Sequence, residues 1–293
     1  MNSMSVFDSV KYNTFYTKGQ RDQDTHFIIE ASEYKIFGVF DGHGNFGKEF
    51  VEEAKTKFAG KLTTIDYSTD PYDKIKKVFN EINTSLNLSK YISSGSTVSL
   101  LIILKDKMLV ANVGDSDVYL FDDSHNLTLL SGSHSGTNEN EMKRLKEFPN
   151  TKIVYATTIG TFESLLWKDD KMNPFEASLH HYCKNRMNEP ATYICSNILP
   201  NKLAMTRSLG DYALKNHGIT WEPEIHEYPL PNEKSQILIA SDGFWDSWKQ
   251  EEIITELSDI EKRQNIHKTS VELSTFYFGK KNADDNTLIH ITF

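Results

Sequence analysis

Four short acidic segments, Asp22-Gln23-Asp24, Asp41-Gly42-His43-Gly44, Ser241-Asp242-Gly243 and Asp284-Asp285-Asn286, stand at the edges of apolar runs far apart along the chain. Phe27-Ile28-Ile29 follows the first, Ile36 to Phe40 precedes the second, and Ile237 to Ala240 precedes the third. Carboxylates on strand ends can converge, and converging carboxylates repel one another and take up protons unless divalent cations supply positive charge. All-oxygen ligands of this kind suit Mg²⁺ or Mn²⁺ and argue against Zn²⁺, which prefers His and Cys. Asp-Gly and Asp-Asn pairs are also ordinary turn chemistry. One such segment carries little weight; four, with His43 beside one of them, carry much more.

Composition narrows the partners. At 293 residues the chain can bury a substantial core as one large domain or two small ones. A net charge of −9 argues against a general nucleic-acid or anionic-membrane binder, which would need clustered Lys and Arg. Cys183 and Cys195 lack CxxC spacing, so neither a disulfide framework nor a thiolate zinc site is supported, and a reduced intracellular compartment, cytoplasmic or nuclear, is expected. Met1 to Asp8 shows no basic n-region followed by an apolar stretch, and position 2 is Asn. No apolar run approaches the ~20 residues that cross a bilayer, so a soluble protein is expected.

From Phe46 to Leu62 apolar residues recur at helical spacing. Asp70-Pro71 opens a second helix, with Asp as N-cap and Tyr72, Ile75, Val78, Phe79, Ile82 and Leu86 as its buried face. Thr97 to Leu104, Met108 to Val113 and Val118 to Phe121, joined by tight turns, read as an antiparallel meander. Later come a strand at Ile237 to Ala240, helices at Gln250 to Leu257 and Ile266 to Phe278, and a last strand at Thr287 to Thr292. Strands and helices alternate in blocks, which predicts an α+β architecture of sheets covered by helices. Residues 131–200 differ: a Ser-Gly-rich loop, a short charged helix from Glu139 to Phe148, and weak periodicity from Thr151 to Pro200. They are expected to form an inserted, flap-like subdomain beside the core of a single domain.

Asp41-Gly42-His43-Gly44, Gly95-Ser96-Thr97, Ala111 to Ser116, Leu203 to Asp211, Glu222-Pro223-Glu224, Ala240 to Asp246 and Asp285-Asn286-Thr287 occur in the order found in metal-dependent Ser/Thr protein phosphatases of the 2C type, and the chain resembles that family from about Asp22 to its end. The resemblance implies a four-layer α-β-β-α sandwich of two antiparallel sheets with two Mg²⁺ or Mn²⁺ ions in a cleft at one end. It implies that Asp41 bridges the ions, that the Gly42 carbonyl binds one of them, and that Asp242 and Asp285 complete the ligand set. Asp24 matches the N-terminal acidic position, as a ligand or through metal-bound water. Asp115 and Asp246 fall where a weaker third metal binds in some members, with turn formation and capping as the equal alternative. Two such ions can activate a water that attacks phosphorus directly. His43 is the expected general acid, or a residue that only orients ligand water.

Other residues read as structural. Thr97 and Ser96 hydroxyls are expected to satisfy local backbone, Arg207 and Asp211 to pair with each other, Phe244 and Trp245 to lie in the core, and His134 and Arg144 to sit on a solvated surface. Three departures stand out. The family commonly has an Arg five residues before Asp24, where it holds the substrate phosphate; here that position is Gly19, leaving Lys18 or Arg21 to reach in. Gln23 stands where many relatives have Glu, and Asp117 where Arg is common. The expected function is hydrolysis of phosphoserine and phosphothreonine in phosphoprotein substrates by a monomer. The alternative is a catalytically silent member acting as a binding scaffold.

Overall fold

The computed structural model describes residues 5–156, 162–164, 186–187, 191–280 and 283–293. Its long apolar runs become strands buried on both faces. In β3 (Tyr34–His43) alternate side chains go opposite ways: Ile36 and Phe40 face helices, whereas Phe37 and Val39 face a second sheet. Every residue of β5 (Val98–Leu104) is buried.

Seven strands form one antiparallel sheet: β2 (Asp24–Glu30), β3, β4 (Gly95–Ser96), β5, β6 (Lys107–Val113), β13 (Leu209–Gly210) and β14 (Glu224–Pro229). Their order is β13-β4-β3-β5-β6-β14, with β2 also beside β3. Five strands form the other: β1 (Lys11–Thr17), β16 (Asn286–Thr292), β15 (Gln236–Ala240), β7 (Asp117–Phe121) and β8 (Leu127–Leu129), in that order. Phe37, Val39, Leu101 and Val110 of the first sheet meet Val118, Ile237, Ile239, Ile289 and Ile291 of the second. Helices α2 (Gly47–Leu62) and α3 (Pro71–Ser85) cover the first sheet through Phe50, Phe58, Ile75 and Phe79. Helices α5 (Asp242–Trp245), α6 (Gln250–Ser258), α7 (Ile260–Arg263) and α8 (Ile266–Phe278) follow β15, and Phe244, Trp248, Ile253, Leu257 and Ile266 pack on the second sheet. Short helix α1 (Val6–Ser9) adds Phe7 to the layer between the sheets. This is the α-β-β-α sandwich expected from the sequence.

Beside it lies a small antiparallel sheet, β10 (Phe162–Ser164), β9 (Thr151–Ala156), β11 (Thr192–Ser196) and β12 (Lys202–Leu203). Ile153, Ile194 and Leu203 of this sheet pack with Met142 and Leu145 of α4 (Glu139–Leu145). Much of the segment read as an insertion, 157–161, 165–185 and 188–190, lies outside the described residues.

Several local expectations change. The meander divides: β5 and β6 pair, but after Gly114 the chain crosses to the second sheet, where β7 pairs with β15. Sequence periodicity cannot reveal this, because strands of both sheets carry the same inward apolar residues. Asp70 occupies the N-cap of α3 without a side-chain cap bond, its backbone left-handed at φ 42°. Tyr72 is 39% exposed and donates to Glu227 rather than joining the buried face. Among the described residues no helix is long and apolar enough to cross a membrane.

Candidate metal centre

Strand register brings the first two carboxylates together. Asp24 sits directly opposite Asp41 in the β2–β3 pair. Directly opposed residues share one face of a sheet, and the parity of Phe37 and Val39 turns Asp41 toward the layer between the sheets. The two aspartates therefore close the end of that layer. Asp242 arrives at the start of α5, one residue beyond Ser241, whose hydroxyl accepts the Thr287 N–H at 3.1 Å and ties the ends of β15 and β16. Asp285 immediately precedes β16.

The charges crowd. Burial, then the neighbouring Asp285 and Asp242, holds the Asp24 carboxyl well above its ordinary range, with Ser241 and Thr287 pulling the other way. Asp41 is raised likewise, by burial and then by Asp24, Asp242, Asp284 and Asp115. Asp24 is 3% exposed and its Oδ2 has no hydrogen-bond partner among the described residues. Burial and the charges of Asp242 and Asp285 also push Asp284 to about 6, an effect that solvent screens because this residue sits at the open rim. Asp284, part of the fourth acidic segment but not among the expected ligands, joins the cluster.

Asp285 faces the chain before β2. Its Oδ1 accepts the N–H groups of Gly19 at 2.6 Å and Asp22 at 3.1 Å, and its Oδ2 that of Gln23 at 2.5 Å. A carboxylate has about four acceptor sites, so these bonds leave lone pairs over. Among the described residues no three His, Cys, Asp or Glu side chains close into a compact cage. The donor chemistry nevertheless fits a hard divalent cation: buried oxygen ligands whose repulsion such an ion would relieve, one of them with an orphaned oxygen. Asp115, at the β6–β7 turn, is 9% exposed and acts on both Asp41 and His43. Asp246 caps α5, and its carbonyl accepts the Arg186 N–H at 3.2 Å.

His43 does not stand alone. Its Nε2 lies 2.6 Å from Asp211 Oδ2, while Nδ1 is buried without a partner among the described residues. Burial by itself would push the imidazole down, but the charge and hydrogen bond of Asp211, with Asp115 behind, outweigh it and raise His43. Asp211 is held low in return, His43 outweighing burial with help from Lys215 and Ser208. Asp211 has a left-handed backbone, φ 48°, an uncommon state for a residue with a Cβ. Its N–H donates to Ser94 O at 2.9 Å, fixing that turn beneath His43.

This corrects the expected pairing of Arg207 with Asp211. Arg207 instead reaches Glu141 Oε1 at 2.7 Å, and Arg144 reaches Glu141 Oε2 at 2.7 Å. Helical spacing suggested the pair, but 207–211 is a strand-and-turn segment in which residues four apart do not face each other. His134, expected at the surface, is fully buried, and Arg144 is largely so, because α4 packs down onto the 206–224 segment. Phe244 and Trp245 are core, as expected. The Thr97 hydroxyl accepts the Asp41 N–H at 3.2 Å, and that of Ser96 donates to the Thr97 carbonyl at 2.5 Å.

Gly19 has a steric cause: a Cβ there would fall on the backbone of Asp284 and Asp285, so a side chain at this position requires that backbone to shift. Of the two substitute cations, Lys18 is exposed and held by Asp22 at 3.3 Å, whereas Arg21 lies close enough to Asp284 to lower its pKa. Gln23 uses its amide to donate to Gly44 O at 2.7 Å, a bond a carboxylate could not make. Gly42 is buried, and its N–H donates to Gln23 O at 3.1 Å.

The sequence profile of the family described as "Protein phosphatase 2C" matches residues 17–153 and 181–284. "Protein phosphatase 1L" of Bos taurus is 30% identical over 295 aligned residues, covering 93% of this chain and 70% of that protein. A "Protein kinase and PP2C-like domain-containing protein" of Arabidopsis thaliana is 27% identical, covering 96% of this chain and 39% of its own length. A serine-threonine phosphatase 2C from Toxoplasma gondii superposes with a TM-score of 0.71 at 16% identity, over 97% of this chain and 95% of that one, a likeness of fold.

The Glu141 cluster generates a pH prediction. Burial would raise this carboxyl, yet Arg207, Arg144 and Thr206 outweigh it and bring it down to about 2. The folded value lies below the unfolded one, so the charge stabilises the fold above about pH 4.5, and that stabilisation fades as pH falls toward 2. Glu141→Gln should cost on the order of 3 kcal/mol in urea unfolding near neutral pH. The gap from wild type should narrow on acidification; a gap independent of pH would contradict the assignment.

Proposed function

The chain belongs to the protein phosphatase 2C family, and from that premise we propose that it hydrolyses phosphoserine and phosphothreonine esters of proteins, with water attacking phosphorus directly and no phosphoenzyme. The observation that carries this reading is the convergence of Asp24, Asp41 and Asp242 at the end of the inter-sheet layer, where burial and mutual repulsion raise the first two. Asp24, Asp41, the Gly42 carbonyl, Asp242 and Asp285 would hold two Mg²⁺ or Mn²⁺ ions, with Asp115 and Asp246 serving a weaker third. When bound there, such ions lower the pKa of a coordinated water and offset the charge of the phosphoryl oxygens.

The remaining roles fall to this chain's own side chains. Asp211 holds Nε2 of His43 and favours the imidazolium, and Nδ1 is then the proton donor to the departing Ser or Thr oxygen. Arg21 supplies the cationic contact to substrate phosphate that the backbone crowding at Gly19 disfavours there. The protein acts on phosphoproteins inside the cell as a monomer. The described residues work as one phosphatase unit, with the 131–200 insertion beside it. Gly19 also favours a second reading, a silent scaffold that binds phosphoproteins without turning them over.

Phosphate release from a phosphopeptide decides between them. Activity should require Mn²⁺, vanish with EDTA, and fall at least ~10²-fold in Asp41→Asn or Asp242→Asn. Metal-independent hydrolysis or full activity in either variant would contradict the reading, and partner binding without turnover would favour the scaffold. His43→Ala should slow esters with poor leaving groups by roughly 10²–10⁴-fold and activated aryl phosphates far less; equal slowing would remove the proton-donor role. Arg21→Ala should raise KM severalfold while kcat changes little; an unchanged KM would place phosphate binding elsewhere.

A further inference from the structure

We propose that His134 is a positioning residue for the Asp115 side of the carboxylate cluster, a neutral imidazole that clamps the Gly114-Asp115-Ser116 turn and couples it to the α4 insertion. The proposal rests on the reading in which Asp115 faces a metal.

The geometry of the imidazole fixes its tautomer. Nδ1 accepts the Gly114 N–H at 3.0 Å, so it carries no proton, and Nε2 then donates to Glu224 Oε2 at 3.2 Å. The ring is fully buried. A buried backbone N–H needs an acceptor, and the sheet cannot provide one here because β6 ends at Val113 and the chain leaves for the other sheet. Gly114 adopts φ +102°, and a Cβ would fall on Thr97, so the turn is pressed against the neighbouring strand. His134 itself is placed by two bonds between Asn112 and the Gly132 backbone, each 2.8 Å, and by its own carbonyl, which accepts the Thr206 N–H at 2.8 Å.

The opposite side of the turn leads to Asp41. Ser116 Oγ lies 2.6 Å from Thr97 Oγ1, which accepts the Asp41 N–H, and the Thr97 N–H donates to Asp41 O at 2.9 Å. Outward from the imidazole, Glu224 lies 3.7 Å from Arg207, and Arg207 grips Glu141 of α4. His134 is thus the buried joint between the insertion's ion network and the turn that carries Asp115.

Hydrogen exchange of the Gly114 amide in the ¹⁵N-labelled 293-residue chain, with a Mn²⁺ titration by calorimetry and by phosphopeptide turnover, tests this. In His134→Leu the Gly114 amide should exchange about tenfold faster or more. The Mn²⁺ concentration for half-maximal turnover should rise several-fold, with a much smaller fall in kcat at saturating Mn²⁺. His134→Asn, whose amide oxygen can replace Nδ1 as acceptor, should restore both. If the Leu variant does not fold, Glu224→Ala keeps the ring but removes the acceptor from Nε2, and Gly114 exchange should rise by a smaller factor. Unchanged Gly114 exchange, an Asn variant that tracks Leu, or faster exchange with an unaltered Mn²⁺ requirement would overturn the proposal. A wild-type chain that binds no Mn²⁺ would sink the metal reading and the coupling together, yet leave Gly114 exchange still sensitive to His134.

Discussion

Mutual repulsion among crowded carboxylates, some buried and some at the rim, is the constraint around which the candidate centre is built. Asp24 and Asp41 face each other across a strand pair, Asp242 and Asp284 act on Asp41 from the second sheet, and Asp115 acts from the turn between sheets. Nothing in an apolar core favours such an arrangement. It persists because each aspartate is fixed by backbone rather than by its own side chain: β2–β3 register, the Ser241–Thr287 tie, and the two bonds between Asp41 and Thr97. Asp285 is held in another way, its two oxygens accepting three amide N–H groups from the chain before β2.

The scaffold supports this crowding from both sides. The inter-sheet layer is closed by branched aliphatic and aromatic side chains, and each sheet has a second apolar face covered by helices. The strand ends at the rim therefore hang from rigid, doubly buried strands, and binding groups on such elements are held more closely than groups on loops. His43 is oriented in the same manner: Asp211 reaches it from a left-handed turn whose N–H is fastened to Ser94. Beyond it, the Glu141 cluster anchors α4 to the segment that leads into that turn.

Much of this was legible in the sequence where a residue's role follows from local pattern. The apolar repeat in Phe46 to Leu62 gives α2 to within a residue, and the helical stretch around Ile266 to Phe278 gives α8. The acidic segments at strand edges, read with the ordered family motifs, single out Asp24 and Asp41, which the β2–β3 register sets opposite each other. Contacts between distant segments were hidden. Arg207 and Asp211 look like a pair because opposite charges four apart suit a helix, and no helix forms there; their true partners, Glu141 and His43, lie 66 and 168 residues away. His134 looks like a surface histidine because its partners Thr206 and Glu224 come from elsewhere in the chain. Gly19 reads as a missing arginine, and only the approach of Asp284 and Asp285 explains why a side chain is disfavoured there.

Calorimetric titration of the metal-free protein with Mn²⁺ near pH 6, in buffers of different ionisation enthalpy, tests the electrostatic basis most directly. Carboxyls raised by burial and crowding carry protons before the ion arrives and lose them when it binds. The expected result is Mn²⁺ binding with net proton release that shrinks as pH rises and is abolished, with the binding, in Asp41→Asn. Binding without proton release, or no binding at all, would mean that these aspartates do not share the charge of a cation.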